Sequence, residues 1–184
     1  MTAGGGELEG ELVAPRLFDL PVAGLYPMEL DEANRLLVLW GHRLGACERP
    51  YRSEGWALEV AGRAVAVAIS ATTVSSTVAG YRREEVVELA RLGSSGGWAN
   101  RVMLRLWREV AAPLWGWWSP RAAVSYSLAV NRGDLYRFDG WTRLADTAGS
   151  GGGGTWSSPR IGDDPRRPRS KSLWVWRYDE RGEK

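Results

Sequence analysis

One cysteine and one histidine are all that 184 residues supply. A lone Cys47 excludes an internal disulfide and a cysteine-rich zinc site. A lone His42 excludes a multi-histidine centre, so no structural metal is expected. Phenylalanine is nearly absent, at two residues against eleven tryptophans, so aromatic area must come mainly from indoles. No apolar run reaches the roughly 18 residues of a membrane-crossing helix. The opening stretch, MTAGGGELEGE, is glycine-rich and acidic, without the basic-then-apolar order of a signal peptide. A cytoplasmic location and no membrane contact are the expectation. Net charge is also scarce: +2 over the whole chain does not by itself call for a nucleic-acid partner.

What is present is an ordinary globular composition, 44% apolar and 25% charged, in a length that suits one domain with a proper core. Residues 1–15 read as a disordered lead and 16–184 as a single domain. Charge is unevenly spread. The lead carries Glu7, Glu9 and Glu11 and no base among its first eleven residues. A late stretch carries Arg160, Arg166, Arg167, Arg169 and Lys171 against Asp163 and Asp164.

Pattern gives the elements. Leu20–Tyr26 reads as a first strand, stopped by Pro27. Met28–Trp40 reads as a helix, with Leu30, Ala33, Leu37 and Trp40 at helical spacing and acids in its first turn. It should stop near Gly41–Gly45. Trp56–Val60 and Ala64–Val74 form a hairpin about Ala61–Gly62–Arg63, with both faces open to burial. Glu85–Leu92 is a strand and Gly93–Gly97 a break. Trp98–Ala112 is a helix carrying a stripe of Val102, Leu106 and Val110. Ala122–Val130 is a strand, Gly133–Gly140 a short helix, and Trp141–Ala145 a late strand. Residues 147–170 form a long Gly/Pro/Arg loop. Leu173–Tyr178 is the last strand, alternating Leu173, Val175 and Arg177 against Trp174, Trp176 and Tyr178. The resulting β-α-β-β-β-α-β-α-β-β order describes an α/β domain with a partly antiparallel sheet.

The unit Glu85–Gly140 reads strand, glycine-rich turn, helix, strand, short helix. It resembles the GCN5-related N-acyltransferases (GNAT), where such a unit binds the pyrophosphate of acyl-coenzyme A. Leu135-Tyr136-Arg137-Phe138-Asp139-Gly140-Trp141 is similar to that family's Leu-Tyr…Gly-aromatic signature. Further segments resemble the phage- and plasmid-borne branch that includes the Mom DNA-modifying proteins. These are Glu88-Leu89-Ala90-Arg91-Leu92, Val124-Ser125-Tyr126-Ser127, and His42 ahead of Arg49-Pro50. A sister group of uncharacterised acyltransferases is similar in Tyr126-Ser127-Leu128-Ala129 and in Gly153-Gly154-Thr155-Trp156-Ser157-Ser158-Pro159. Two departures stand. Ser94 replaces a glycine of the family's pyrophosphate pattern, and Ser127 replaces an Asp of the Mom proteins.

The resemblance implies a mixed, largely antiparallel sheet with a central splayed parallel pair flanked by helices. It implies acyl-CoA as donor, acetyl-CoA foremost. Arg91, Leu92, Gly93, Ser94, Ser95, Gly96, Gly97 and Asn100 are the expected cofactor-binding residues. Glycines let backbone approach a ligand closely, and a helix start offers unpaired N–H groups and a positive dipole end to phosphates. The plainer reading is a flexible strand-to-helix loop. The resemblance also makes the backbone of Arg91–Gly93 the donor to a developing oxyanion.

Tyr136 is the expected proton donor to the leaving thiolate, against the plainer role of a ring packed on the sheet. Glu88 is a candidate base, against a salt-bridged strand residue. Strict alternation puts Glu88 and Arg91 on opposite faces. His42 suits acid–base work near neutrality, against helix C-capping. Tyr126, Ser127, Trp156, Arg160, Arg166, Arg167, Arg169 and Lys171 are the expected acceptor contacts. Arginine mixed with aromatic rings suits phosphate pairing and base stacking, against the plainer reading of a solvated, mobile loop whose Asp163 and Asp164 offset the charge, so a DNA acceptor is the boldest expectation. Four functions stay open. They are acyl-CoA-dependent acylation of an amine, a nucleobase among the candidates, Mom-like base modification without ordinary acyl-CoA, small-molecule or protein N-acetylation, and a non-catalytic binding module.

Overall fold

The computed structural model describes residues 23–49, 51–147 and 170–179. It begins with β1 (Ala23–Met28), α1 (Leu30–Leu39), β2 (Ser53–Val60) and β3 (Arg63–Ala71). A small hairpin of β4 (Thr77–Val78) and β5 (Tyr81–Arg82) follows, then β6 (Val86–Ser94) and α2 (Gly97–Leu106). The helix runs on through a π-helical turn, Trp107–Ala111. The chain continues with β7 (Ala122–Leu128), α3 (Asp134–Phe138), β8 (Thr142–Thr147) and β9 (Lys171–Arg177).

Seven strands make one sheet in the order β1-β2-β3-β6-β7-β9-β8. The β6–β7 pair is parallel, joined through the α2 crossover, and the other pairs of this sheet are antiparallel. This is the expected fold class. The alternation in β9 sorts as expected too. Trp174 and Trp176 enter the core under α2, with Leu89, Met103, Trp107 and Trp141. Leu173 and Val175 face the other side, with Val86, Val124 and Val78 of the small hairpin. On that same side α1 lays Ala33, Leu36 and Leu37 on Val67, Ile69 and Ala90.

Four expectations are corrected. First, Pro27 lies inside β1, opposite Trp56, instead of ending the strand. β1 is an edge strand, so a residue without an N–H costs no ladder bond on its outer side. Second, the β2–β3 hairpin turns on Ala61 and Gly62 alone, at φ 51° and 72°, the two-residue turn whose twist matches the strands. β3 then ends at Ala71, and the following residues build the unforeseen β4–β5 hairpin.

Third, the α2 stripe is displaced: of the three expected residues only Leu106 packs against the core. Val102 and Val110 are each 41% exposed, while Ala99, Met103, Leu104, Trp107 and Ala111 are buried. Both stripes have helical spacing. Small Ala99 and Ala111 let the helix approach the sheet, and Met103 and Trp107 fill the space between.

The fourth correction concerns β6. Leu89 stands opposite Ser70 and Arg91 opposite Ile69, so Ala90 is an extra residue on β6, a β-bulge. Alternation slips by one there. Glu88 and Arg91 consequently share the α1 face, where both reach the loop after α1: Glu88 pairs with Arg49, and Arg91 donates to the carbonyls of Gly45 and Ala46. The expected disordered lead, Pro50, Trp156, Arg160, Arg166, Arg167 and Arg169 lie outside the described residues. No described helix is long and apolar enough to cross a membrane.

Candidate active site

The parallel pair is short. β6 and β7 register from Val86 with Ala122 to Leu89 with Ser125, and no pairing continues beyond that rung. β6 runs on along β3 to Ser94, while β7 runs on along β9 to Leu128. The strands therefore part at their C-terminal ends, leaving one edge of β6 from Ala90 to Ser94 without a β7 partner. Such an edge is a row of backbone donors and acceptors set in the middle of a sheet.

At the fork, on the α2 face, stands Tyr136. Its hydroxyl lies 2.9 Å from Ser125 Oγ, and Ser125 Oγ lies 3.0 Å from the Leu89 carbonyl. The Tyr136 ring stacks on Trp174, centroids 5.4 Å apart, and meets Trp141 edge-on at 5.5 Å. The plainer reading of Tyr136, a ring packed on the sheet, holds, and its hydroxyl meets the last rung of the parallel pair. Burial pushes its phenol above the ordinary range, so it stays protonated at neutral pH. Ser127 is on this face as well, accepting from the Trp174 indole N–H at 3.0 Å.

α3 can hold Tyr136 there because of Gly133. At φ 66° it adopts a backbone that side-chain-bearing residues resist, and a Cβ on it would lie 2.1 Å from the Trp174 ring. From the other end, Arg108 in the π-helical turn donates to the Asp139 carbonyl at 2.8 Å. It also lies 3.6 Å over the Trp176 ring. The π turn thus brings Arg108 inward as well as Trp107 and ties α2 to the end of α3.

Beyond the fork, β6 leads into α2 through Ser94, Ser95 and Gly96. Ser94 Oγ donates to the Gly96 carbonyl at 2.8 Å, and Ser95 ties back to the Val65 carbonyl through N–H and hydroxyl. Ser94, in place of the expected glycine, therefore shapes the turn. No acid sits in the first turn of α2, and a Cβ on Gly97 would meet nothing within 4 Å. The Asn100 amide oxygen is buried there without a hydrogen-bond partner. Leu92 packs into the core under α2. Arg91 offers this region its backbone only, since its guanidinium is on the other face.

That other face carries a second set. α1 ends in a Schellman motif: Gly41 N–H bonds to Val38 O and His42 N–H to Leu37 O. This throws the His42 ring against β6, where a Cβ on Gly93 would lie 3.4 Å from its Cδ2 and 2.6 Å from Leu37 Cδ2. Gly93 is a glycine because α1 closes on it. His42 Nδ1 accepts from Leu44 N–H at 3.3 Å, which fixes the ring's orientation. Next along the face, Glu88 is 4% exposed and bonded to Arg49. Burial raises its carboxyl, and the charges of Arg49, Arg91 and Lys171 offset part of that rise. Tyr126 sits beside this pair; burial and then the Glu88 charge push its phenol up to about 12. Cys47 is buried and its thiol is raised by burial, an inert environment.

The sequence-predicted residues thus divide across the sheet at one fork. Tyr136, Ser127 and the start of α2 lie on one face; His42, Glu88, Arg91 and Tyr126 lie on the other. Lys171 is exposed, opposite Leu128 at the start of β9. Arg49, Ser125 and Trp174 belong to the site and were not singled out from the sequence. Arg49 reaches Glu88 across 39 residues of chain, and nothing local to either residue signals that pair.

A parallel pair splayed at a bulged central strand, followed by a helix start, in a seven-stranded mixed sheet, is the fold of the GCN5-related N-acyltransferases. Solved structures of that fold align over most of the chain. NAA60 of Arabidopsis thaliana with a bisubstrate analogue is 14% identical, with a TM-score of 0.59, covering 85% of this chain and 98% of its own. An IAA acetyltransferase of Bacillus cereus is also 14% identical, at 0.58, covering 85% and 99%. A spermidine N-acetyltransferase of Vibrio cholerae is 9% identical, at 0.60, covering 88% and 98%. No protein-family model and no curated protein matches the sequence.

Proposed function

We propose that this chain is an acyl-CoA-dependent N-acyltransferase acting on an amine. The observation that carries the reading is the fork itself, with the Tyr136 hydroxyl at its last rung and the α2 start just beyond. The donor's diphosphate suits the first-turn N–H groups of α2, which a helix leaves unpaired. Gly97 is open there, and the unpartnered Asn100 oxygen is a further polar group at the same helix start. Arg91 to Gly93 contribute backbone donors along the β6 edge. Acyl-CoA would supply an acyl thioester, whose sulfur departs as a thiolate.

Tyr136 holds the proton for that thiolate. A buried phenol keeps its proton until an anion forms close by. We assign the amine to the opposite face, beside His42, because an imidazole is the side chain most often used to take a proton from a reacting group. Glu88 then serves to hold Arg49 and the loop that carries His42. Its burial and its bond to Arg49 favour that role over direct proton transfer. The structural neighbours are named for acting on IAA and spermidine, and NAA60 was also solved with acetyl-CoA. We extend the donor to this chain and leave the amine general. A nucleobase acceptor rests on the Mom-like segments and on arginines outside the described residues.

The test is coenzyme A release from acetyl-CoA with a panel of amines: peptide N-termini, polyamines, amino acids and oligonucleotides. One class should turn over, and Tyr136→Phe should slow it by roughly 10²–10⁴-fold. Digestion of co-expressed plasmid to nucleosides, with mass detection, tests the nucleobase acceptor. No acetyl-CoA affinity by calorimetry and no turnover would reject the enzyme reading. Affinity without turnover would make the chain a binding module.

A further inference from the structure

The hydroxyl of Ser125 sits between two groups that define the site, and its single proton settles what each can do. A carbonyl only accepts, so the 3.0 Å contact to Leu89 takes the Ser125 proton. The 2.9 Å contact to Tyr136 must then be made with the tyrosine's proton, phenol donating to serine. Leu89 and Ser125 are also the last rung of the parallel ladder. The serine therefore joins the point where the strands part to the group proposed to donate a proton there.

We infer that Ser125 is a positioning residue for Tyr136, switching its hydroxyl from the Leu89 carbonyl to the tyrosine oxygen when the phenol gives up its proton. The inference rests on the acyltransfer reading above. In the resting state Ser125 accepts from the phenol and fixes its direction. The Tyr136 O–H then turns from Ser125 to the departing sulfur, its bond breaks as the proton passes there, and a phenolate is left. Rotation about the Ser125 Cβ–Oγ bond then turns the serine O–H from a neutral carbonyl to an anion, the stronger of the two acceptors. No heavy atom moves and no further reactant is needed. Water returns the proton to the phenolate after product leaves, and the serine turns back.

The surroundings leave this task to Ser125. Tyr136 is packed between two indoles, Trp174 and Trp141, whose rings offer an anion no charge. The charged groups of its own helix are engaged with one another or with α2: Arg137 with Asp134, and Asp139 with Arg108 and Arg105. Glu88 of β6 faces the other side of the sheet with Arg49. The Tyr136 shift follows from burial, which raises it, and from Ser125, which lowers it.

The test uses the full chain with Ser125→Ala, Ser125→Thr, Tyr136→Phe and the Ala/Phe double variant. With the amine found active, Ser125→Ala should lower kcat about ten- to a hundred-fold, with KM for the donor nearly unchanged. Ser125→Thr, which keeps the hydroxyl, should recover most of it. The double variant should be no slower than Tyr136→Phe, because the serine acts through the tyrosine.

A second measurement needs no turnover. A fluorinated tyrosine at position 136, whose phenol titrates lower than tyrosine's, reports its ionisation by fluorine NMR in the free protein. Its titration should move to higher pH with Ser125→Ala and return with Ser125→Thr. An unmoved titration, or losses that multiply in the double variant, would overturn the inference. A moved titration in a protein that transfers no acyl group would keep the Ser125–Tyr136 coupling and reject the enzyme reading instead.

Discussion

Two glycines share the same positive φ and differ in what surrounds them. Gly41 and Gly133 both sit at φ 66°. At Gly41 an added Cβ would meet nothing within 4 Å; at Gly133 it would lie 2.1 Å from Cζ2 of Trp174 and 2.8 Å from Cε2. Gly41→Ala therefore isolates the cost of a left-handed alanine, about 1–2 kcal/mol. Gly133→Ala carries the same cost plus the overlap. Trp174 cannot easily yield, since its ring is stacked on Tyr136 and its N–H is bonded to Ser127. Overpacking of a fixed core typically adds about 1–3 kcal/mol. Urea unfolding should separate the two variants by at least about 1 kcal/mol, or roughly 2–4 °C in Tm for a domain of this size. In a Trp174→Leu background the overlap is gone, and Gly133→Ala should fall to the cost of Gly41→Ala. Equal losses for the two variants in the wild-type background would refute the steric account of α3 placement.

Other outcomes follow from the same geometry. Met103→Ala should cost about 2–5 kcal/mol and its neighbour Val102→Ala under about 1 kcal/mol, both read by urea unfolding, because only Met103 faces the sheet. Gly96→Val with Gly97→Val should leave the fold intact, since the added Cβ atoms meet at most the Trp98 ring at 3.6 Å. The pair should abolish acetyl-CoA binding by calorimetry if the backbone there is approached closely. Folded Glu88 holds its proton above the ordinary value of 4.5, so the folded state binds more protons than the unfolded one from that pH upward. Its contribution to stability therefore falls as pH rises, and Glu88→Gln should remove that decline when Tm is compared between pH 4 and 7.

Much of the architecture was legible because one-dimensional signals carried it. Ala61-Gly62 between alternating strands, the Gly41 stop of α1, and the two-sided pattern of β9 each follow from local chemistry. The strand–turn–helix–strand order from Val86 to Leu128 fixed a crossover, and with it a parallel pair. What failed depends on neighbours. Pro27 is tolerated because β1 has an outer edge, a property of the sheet and not of the proline. Val102 and Met103 differ by one position, and only the sheet beneath decides which side is buried. The site divides likewise. Tyr136 was named from its motif, whereas its serine and indole partners come from β7 and β9. Arg49 lay in view without its role because Glu88 is brought to it by the sheet.

Ala90 has a consequence for heredity. The β6 bulge absorbs it, so the residues that follow keep the facing they would have without it. Replacing its side chain alters one contact in the core beneath α1. Removing it would place Arg91 next to Leu89, and strict alternation would still set Leu89 opposite Ser70 and Arg91 opposite Ile69. Each position from Arg91 to Ser94 would keep its face. What would go is the local kink and added twist that a bulge gives a strand, one position past the last rung shared with β7. A lineage carrying this fold can therefore lose or gain a residue at position 90 without inverting the strand, and what it would change is the angle at which β6 leaves β7.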